Sequence, residues 1–333
     1  MESPFTGGKA TLKKEKRNLD FRKESFDILY HFYQCADTAE TFVDEIVESL
    51  NLNQVYNKYR ERYGIPFTEE IISIREQYGL SATKMSEVLG LGINSYRNYE
   101  SGEIPSVATG RLIRLAQDPR EFRKLLEMSR KTLDVHEFNK VNKKIDHALS
   151  GFGLVEKAWN IWLTGNDTPD IFNGYKMPSI EKVGCMVNYF AHFHKPFTTA
   201  LNKLLFYSDF FHFKVNGHSI SGLNYKALPK GPVPKNYGGI YNQIVNEGYA
   251  FVEEVDFETY VGDRFIPNLD KKTDCTNVFT PEELKTLESV TNRFKGLNTR
   301  QIVDLSHEES GWQDNVDNLD RISFEYAFEL RHI

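Results

Sequence analysis

Residues 68–117 constrain this chain most, because they break helical periodicity into short pieces separated by sharp turns. In TEEIISIREQYGLSATKMSEVLGLGINSYRNYESGEIPS (68–106), Ile71, Ile72, Ile74 and Tyr78 form the apolar stripe of a first helix. Ser81 is an N-cap for a second helix over 82–89, which buries Met85, Val88 and Leu89. Gly90 supplies a tight turn, and a third helix begins near Ile93 with Tyr96 and Tyr99 inward and Asn94, Ser95, Arg97 and Asn98 outward. Gly102 is its C-cap, and a fourth helix over 106–117 carries Val107, Leu112, Ile113 and Leu115.

A short, polar-faced helix after a tight turn has the geometry that enters a DNA major groove. Asn pairs bidentately with adenine and Arg with guanine. Ser81, Thr83 and Lys84, at the start of the second helix, are placed to meet phosphate. The candidate DNA-binding residues are therefore Ser81, Thr83, Lys84, Asn94, Ser95, Arg97 and Asn98, and the plainer alternative is a small helical bundle without DNA. The tract LSATKMSEVLGLGINSYRNYESGEIPS resembles the XRE (Cro-like) helix-turn-helix family, with Y-x-x-Y-E-S-G-x-x-P as its third helix and exit turn. That resemblance covers about 60 residues and implies operator binding, usually as a homodimer.

Charge limits the DNA reading. Of 333 residues, 40% are hydrophobic and 26% charged, with a net charge of −6, which excludes a basic chain that coats nucleic acid by charge alone. Residues 66–128 are near neutral, and −4 of the −6 lies in residues 176–333. There Glu247, Glu253, Glu254, Asp256 and Glu258 follow one another with no base between them. This is a solvated acidic surface or a face that docks a basic partner. No apolar run approaches the ~20 residues of a membrane span, and the polar N-terminus lacks the apolar core of a secretory signal. Cys35, Cys185 and Cys275 are too few for a disulfide framework, so a cytoplasmic location is expected.

Residues 9–23 are base-rich, and Phe26, Ile28, Tyr30 and Phe32 alternate as in a strand or two, before a helix over 40–63 that Gly64 and Pro66 end. Ser3-Pro-Phe-Thr6-Gly-Gly and Cys35-Ala-Asp-Thr38 have the shape of C-x-x-C pairs from which three cysteines are missing. This arrangement is similar to the zinc ribbon that precedes the XRE domain in MqsA-type antitoxins. One thiolate with hydroxyls cannot close a four-cysteine zinc site, so no metal is expected. Packing of Phe21, Phe26, Ile28 and Phe32 must then hold this segment. A helical stretch over 134–163, around Gly151 and Gly153, leads into GNDTPDIFNGYKMP (165–178), the best linker candidate.

Beyond it, Leu201, Leu204, Leu205 and Phe211 have helical spacing, and Asn216-Gly217 marks a turn. His218 to Leu228 suggests a short hairpin, and Pro229, Gly231, Pro232 and Pro234 a rigid, exposed turn. Residues 248–268 suggest two strands around Gly262, with helices following at Pro281, Asn298 and Ile322–Leu330. The segment NKLLFYSDFFHFKVNGHSISGLNYKALPKGPVP, with the later LSHEESGW and ISFEYAFEL, resembles the Panacea (SocA-like) antitoxin domain over about 180–330. The resemblance implies a type II antitoxin that binds and neutralises a protein toxin. On that reading the toxin-binding candidates are Lys226, Lys230, Pro232, Pro234, Lys235 and Tyr237 of the proline turn, with Glu253 and Glu254.

No Walker A, HExxH or nucleophile elbow occurs. His192, His194, His212, His218 and His307 read as packing or capping residues, and Cys185 as an inert thiol in a buried helix. The expectation is a non-enzymatic, mainly α (α+β) protein without cofactor. It has a degenerate ribbon and connecting helix (1–65), a helix-turn-helix domain (66–128), a helical connector and linker (129–178) and a helical Panacea domain with a small antiparallel sheet (179–333). Its expected partners are a cognate toxin and operator DNA, with no membrane. Alternatives from other classes are a transcription regulator with a C-terminal sensing or dimerisation half, and a proteolytic adaptor that delivers a bound toxin to a protease.

Overall fold

The computed structural model describes residues 1–150, 158–159, 161–165, 168–258 and 261–333. The chain divides into two compact units, residues 1–160 and 161–333, and is mainly helical with small antiparallel sheets.

The first unit opens with a long hairpin, β1 (Ala10–Phe21) and β2 (Glu24–Cys35), closed by Arg22 and Lys23, both in left-handed backbone. A two-residue turn of that hand matches the twist of the strands. The expected strand or two is thus one full hairpin, because β1 pairs along its whole length despite its lysines. A short β3 (Thr41–Phe42) covers one end of the free edge of β2. Helix α1 (Glu45–Tyr63), capped by Asp44 and ended by Gly64 in left-handed backbone, covers the rest. It does so with side-chain amides. Asn51 exchanges both hydrogen bonds with the backbone of His31 (2.8 and 2.9 Å), and Gln54 does the same with Leu29 (3.1 and 2.9 Å). Each amide replaces the peptide group that a neighbouring strand would bring, so the buried edge is satisfied. Phe26, Ile28, Val55, Tyr59, Ile65 and Ile104 close this core.

Next come α2 (Thr68–Gln77), α3 (Ala82–Val88), α4 (Ser95–Glu100), α5 (Val107–Leu115) and α6 (Pro119–Met128). Ile71, Ile74, Tyr78, Met85, Val88 and Tyr96 are buried in their shared core. Helix α7 (Val135–Leu149), expected as connector, packs Phe138, Val141 and Ile145 into that same core because these three lie on one face at i, i+3, i+7. Gly151 and Gly153 lie outside the described residues.

In the second unit, residues 168–178 are packed rather than extended as a linker. Asp170 accepts from the backbone of Phe172 and Asn173, Asn173 is buried, and the Asn173 carbonyl accepts from the Ser219 hydroxyl. Helix α8 (Ile180–His194) and the central α9 (Thr198–Asn216) follow. Strand β4 (Tyr225–Leu228) pairs with β5 (Gly231–Pro234), and α10 (Tyr237–Asn246) leads to the hairpin β6 (Ala250–Asp256) and β7 (Val261–Pro267). Gly262 therefore lies inside a strand rather than at the bend. Helices α11 (Lys272–Val278), α12 (Pro281–Phe294), α13 (Thr299–His307) and α14 (Ser310–Gln313) and a 3-10 turn over 324–329 complete the unit. Thr280 and Asn298 cap α12 and α13 as their spacing predicts. Cys185 and Cys275 are joined in a disulfide, so Cys185 is not the free buried thiol expected. The two meet because α11 packs on α8, a contact between residues 90 positions apart that spacing does not reveal.

Candidate functional site

Among the short helices of the first unit, Ser81 caps α3 by accepting from the Lys84 backbone, and the Lys84 ammonium pairs with Glu87 at 3.0 Å. Thr83 and Lys84 are half-buried. In α4, Tyr96 points inward, where its hydroxyl donates to the Ile71 carbonyl at 2.7 Å and its backbone N–H donates to the buried Ser86 hydroxyl at 3.0 Å. With Tyr96 fixed, Asn94, Arg97 and Asn98 lie exposed and Ser95 half-buried. The exit turn after α4 is held by two arginines. Arg60, buried, donates to the carbonyls of Pro66, Gly102 and Glu103, and Arg22 donates to those of Ile104 and Pro105. Burial lowers the Arg60 guanidinium to about 10, and the carbonyls around it replace the lost water. Neither arginine stands out in the sequence, since their partners on the exit turn, residues 102–105, lie about 40 or more residues away along the chain.

At the open end of the β1–β2 hairpin, the hydroxyls of Ser3, Thr38 and Thr6 hydrogen-bond the buried Cys35 thiol and lower it to about 6. Thr6 Oγ1 is 3.5 Å from the sulfur and also donates to Asp37 at 2.8 Å. The four residues of the degenerate motif therefore do converge on one point. Their donor set, one thiol and three hydroxyls, does not fit zinc. Among the described residues, no group of three or more His, Cys, Asp or Glu is placed to hold a metal.

In the second unit the polar groups of α9 organise everything around it. Asp209, fully buried, accepts from the backbone of Ile220 (2.9 Å) and Ser221 (2.8 Å), from the Ser221 hydroxyl and from the Tyr225 hydroxyl (2.6 Å). Burial pushes its carboxyl above the usual range, and these bonds pull the other way. Lys203, also fully buried, donates to the Pro232 carbonyl at 3.0 Å; burial lowers it to about 7, with Lys230 adding to the shift. His212 bonds Thr286 at 2.9 Å, and Asn202 accepts from Tyr241 at 2.6 Å. Trp312 stacks on His307 and donates to the Leu228 carbonyl at 2.8 Å. Lys203 and Asp209 are detectable in advance as lone charges inside the apolar run LNKLLFYSDFF, a pattern that marks buried charges rather than a solvated face.

These bonds correct the reading of the proline turn. Gly231–Pro234 is a buried strand, held between β4 and Lys203, and of residues 229–234 only Pro229 and Lys230 are exposed. Pro232 and Pro234 are thus core residues. Lys226, Lys235 and Tyr237 are half-buried, while Lys230, Glu253 and Glu254 are exposed. Glu253 pairs with Arg264 across β6 and β7 at 3.5 Å. The hairpin of Glu253 and Glu254 is a separate element from the β4–β5 pair that carries Lys226 and Lys230.

Among the described residues, no helix is long and apolar enough to cross a membrane. Comparison with curated proteins and with solved structures finds no match. Residues 201–313, from the first turn of α9 through α14, match the family model described as "Antitoxin SocA-like, Panacea domain", which supports an antitoxin role in general, a protein partner and a non-catalytic mode of action for this part of the chain.

Proposed function

We propose that the protein is the antitoxin of a type II toxin–antitoxin pair. Its second unit neutralises a cognate protein toxin by direct binding, and its helix-turn-helix represses its own operon. The observation that carries the first part is the antitoxin-domain match over residues 201–313. The polar groups of α9 fit a rigid scaffold, because each is tied to a different surrounding element, and a rigid surface loses little entropy on binding. The repressor part rests on Asn94, Arg97 and Asn98, which are exposed on one side of α4 while Tyr96 anchors the other. The near-neutral charge of residues 66–128 favours a homodimer on operator DNA, since doubling the contacts offsets weak phosphate attraction.

The test is co-expression of the full chain with the small reading frame encoded beside it in the cytoplasm of a bacterial host. Growth arrest by that frame alone, relieved by this chain, is expected. Arg97→Ala should retain relief and lose repression of the shared promoter. An adjacent frame that is harmless alone would refute the antitoxin part and leave a plain transcription regulator, the reading that the exposed face of α4 favours by itself.

A further inference from the structure

The hairpin β6–β7 is asymmetric. The outer side of β7 is covered: the Phe265 N–H donates to the Pro196 carbonyl at 2.9 Å, and Arg264 bridges to Phe197. Among the described residues the outer edge of β6 has no such backbone bond, and its only strand partner is β7. Phe251, Val252, Glu253 and Glu254 are four consecutive exposed residues, with Phe251 53% and Val252 39% exposed. Open edges are normally guarded by charged side chains, lysine above all, by proline or by a bulge. The open edge of β1 follows that rule, with Lys13, Lys14, Lys16 and Arg17 along it. Strand β6 has no base and no proline, and its edge charges are all of one sign: Glu253, Glu254 and Asp256.

We propose that the β6 edge receives an extended, basic segment of the toxin as an added strand. Backbone hydrogen bonds along residues 250–256 would supply affinity, and the carboxylates of Glu254 and Asp256, which share one face of the strand, would select lysine or arginine at alternate positions, with Glu253 adding negative charge on the other face. A second copy of this chain is the wrong occupant. Antiparallel pairing of two β6 edges sets Glu253 and Glu254 of one copy opposite or beside those of the other, and facing like charges are destabilising. The inference rests on the antitoxin reading for the identity of the partner, but not for the chemistry of the edge.

The test uses the full-length chain, hydrogen exchange read by mass spectrometry, and two probe peptides of alternating Lys-Val and Glu-Val. The Lys-Val peptide should slow exchange within 250–256 and bind at least ~10-fold more tightly than the Glu-Val peptide at low salt. Glu254→Lys, which faces Asp263 rather than Arg264 across the hairpin, should abolish that preference without lowering the melting temperature. Equal binding of the two peptides, protection elsewhere, or protection of 250–256 that grows with protein concentration alone would overturn the proposal. So would full relief of toxicity by the charge-reversed variant, an outcome that leaves the antitoxin reading intact. If the native chain relieves no co-encoded toxin, the antitoxin reading falls, and the peptide measurement still decides the edge.

Discussion

Replacing Lys203 by methionine should make the second unit more stable at neutral pH and remove a pH dependence. Burial holds this ammonium at about 7 instead of its ordinary 10.5, and its one hydrogen bond is to the Pro232 carbonyl. The unfolded chain binds the proton up to its ordinary value, so the unfolded state holds more protons throughout that window. Stability therefore rises with pH from about 7 to about 10.5. At one proton and ~1.4 kcal/mol per unit, the cost of burying Lys203 is about 4 kcal/mol at neutral pH and falls to about 1 by pH ~9.5. Methionine removes that cost but leaves the Pro232 carbonyl without its donor, a loss of about 1–3 kcal/mol. The Lys203→Met chain should thus be more stable by about 1–3 kcal/mol at pH ~7, and the native chain should gain about 3 kcal/mol on it by pH ~9.5. Urea unfolding followed by Trp312 fluorescence measures this, with Trp159 and Trp162 replaced by phenylalanine in both chains so that only Trp312 reports. Parallel stability–pH curves for the two chains would refute the reasoning, because they would mean that Lys203 keeps its ordinary proton affinity when folded.

Four further outcomes follow from the same geometry. Replacing Ser3, Thr6 and Thr38 together by cysteine should create a site that binds one equivalent of zinc by elemental analysis, since the three hydroxyls already surround Cys35; a metal-free product would show that the four positions do not make a tetrahedral site. Arg97→Ala should weaken binding to the promoter fragment by about 1–3 kcal/mol in a mobility-shift titration without lowering the melting temperature, and unchanged affinity would remove Arg97 from the interface. Tyr96→Phe removes the hydroxyl that donates to the Ile71 carbonyl, which keeps its own helix bond, and should destabilise the first unit by about 1 kcal/mol in denaturant. Asp209→Ala leaves buried donors from Ile220, Ser221 and Tyr225 without an acceptor and should cost about 3 kcal/mol or more; a neutral effect would mean that the 220–225 loop is held by packing alone.

What the sequence determined is what short-range chemistry decides. Helix starts at Ser81, Thr280 and Asn298, the left-handed stop at Gly64 and the inward tyrosine of α4 are properties of a few adjacent residues, and they were legible without coordinates. Ser3, Thr6 and Thr38, which share two four-residue windows with Cys35 in the sequence, do gather around its thiol. The rest needed tertiary structure, for one physical reason: composition reports how polar or stiff a segment is, not what it packs against. The proline-rich GPVP strand is polar enough in sequence to read as an exposed turn, but Lys203 and β4 draw it into the core. Residues 168–178 have linker composition, but Asn173 and Asp170 find buried partners. The Cys185–Cys275 bond, the arginines on the exit turn and the amide pairs of Asn51 and Gln54 all join residues at least 20 positions apart. The open edge of β6 is likewise a property of what lies beside a strand, and only the folded chain shows that β7 has an outer backbone bond while, among the described residues, β6 has none.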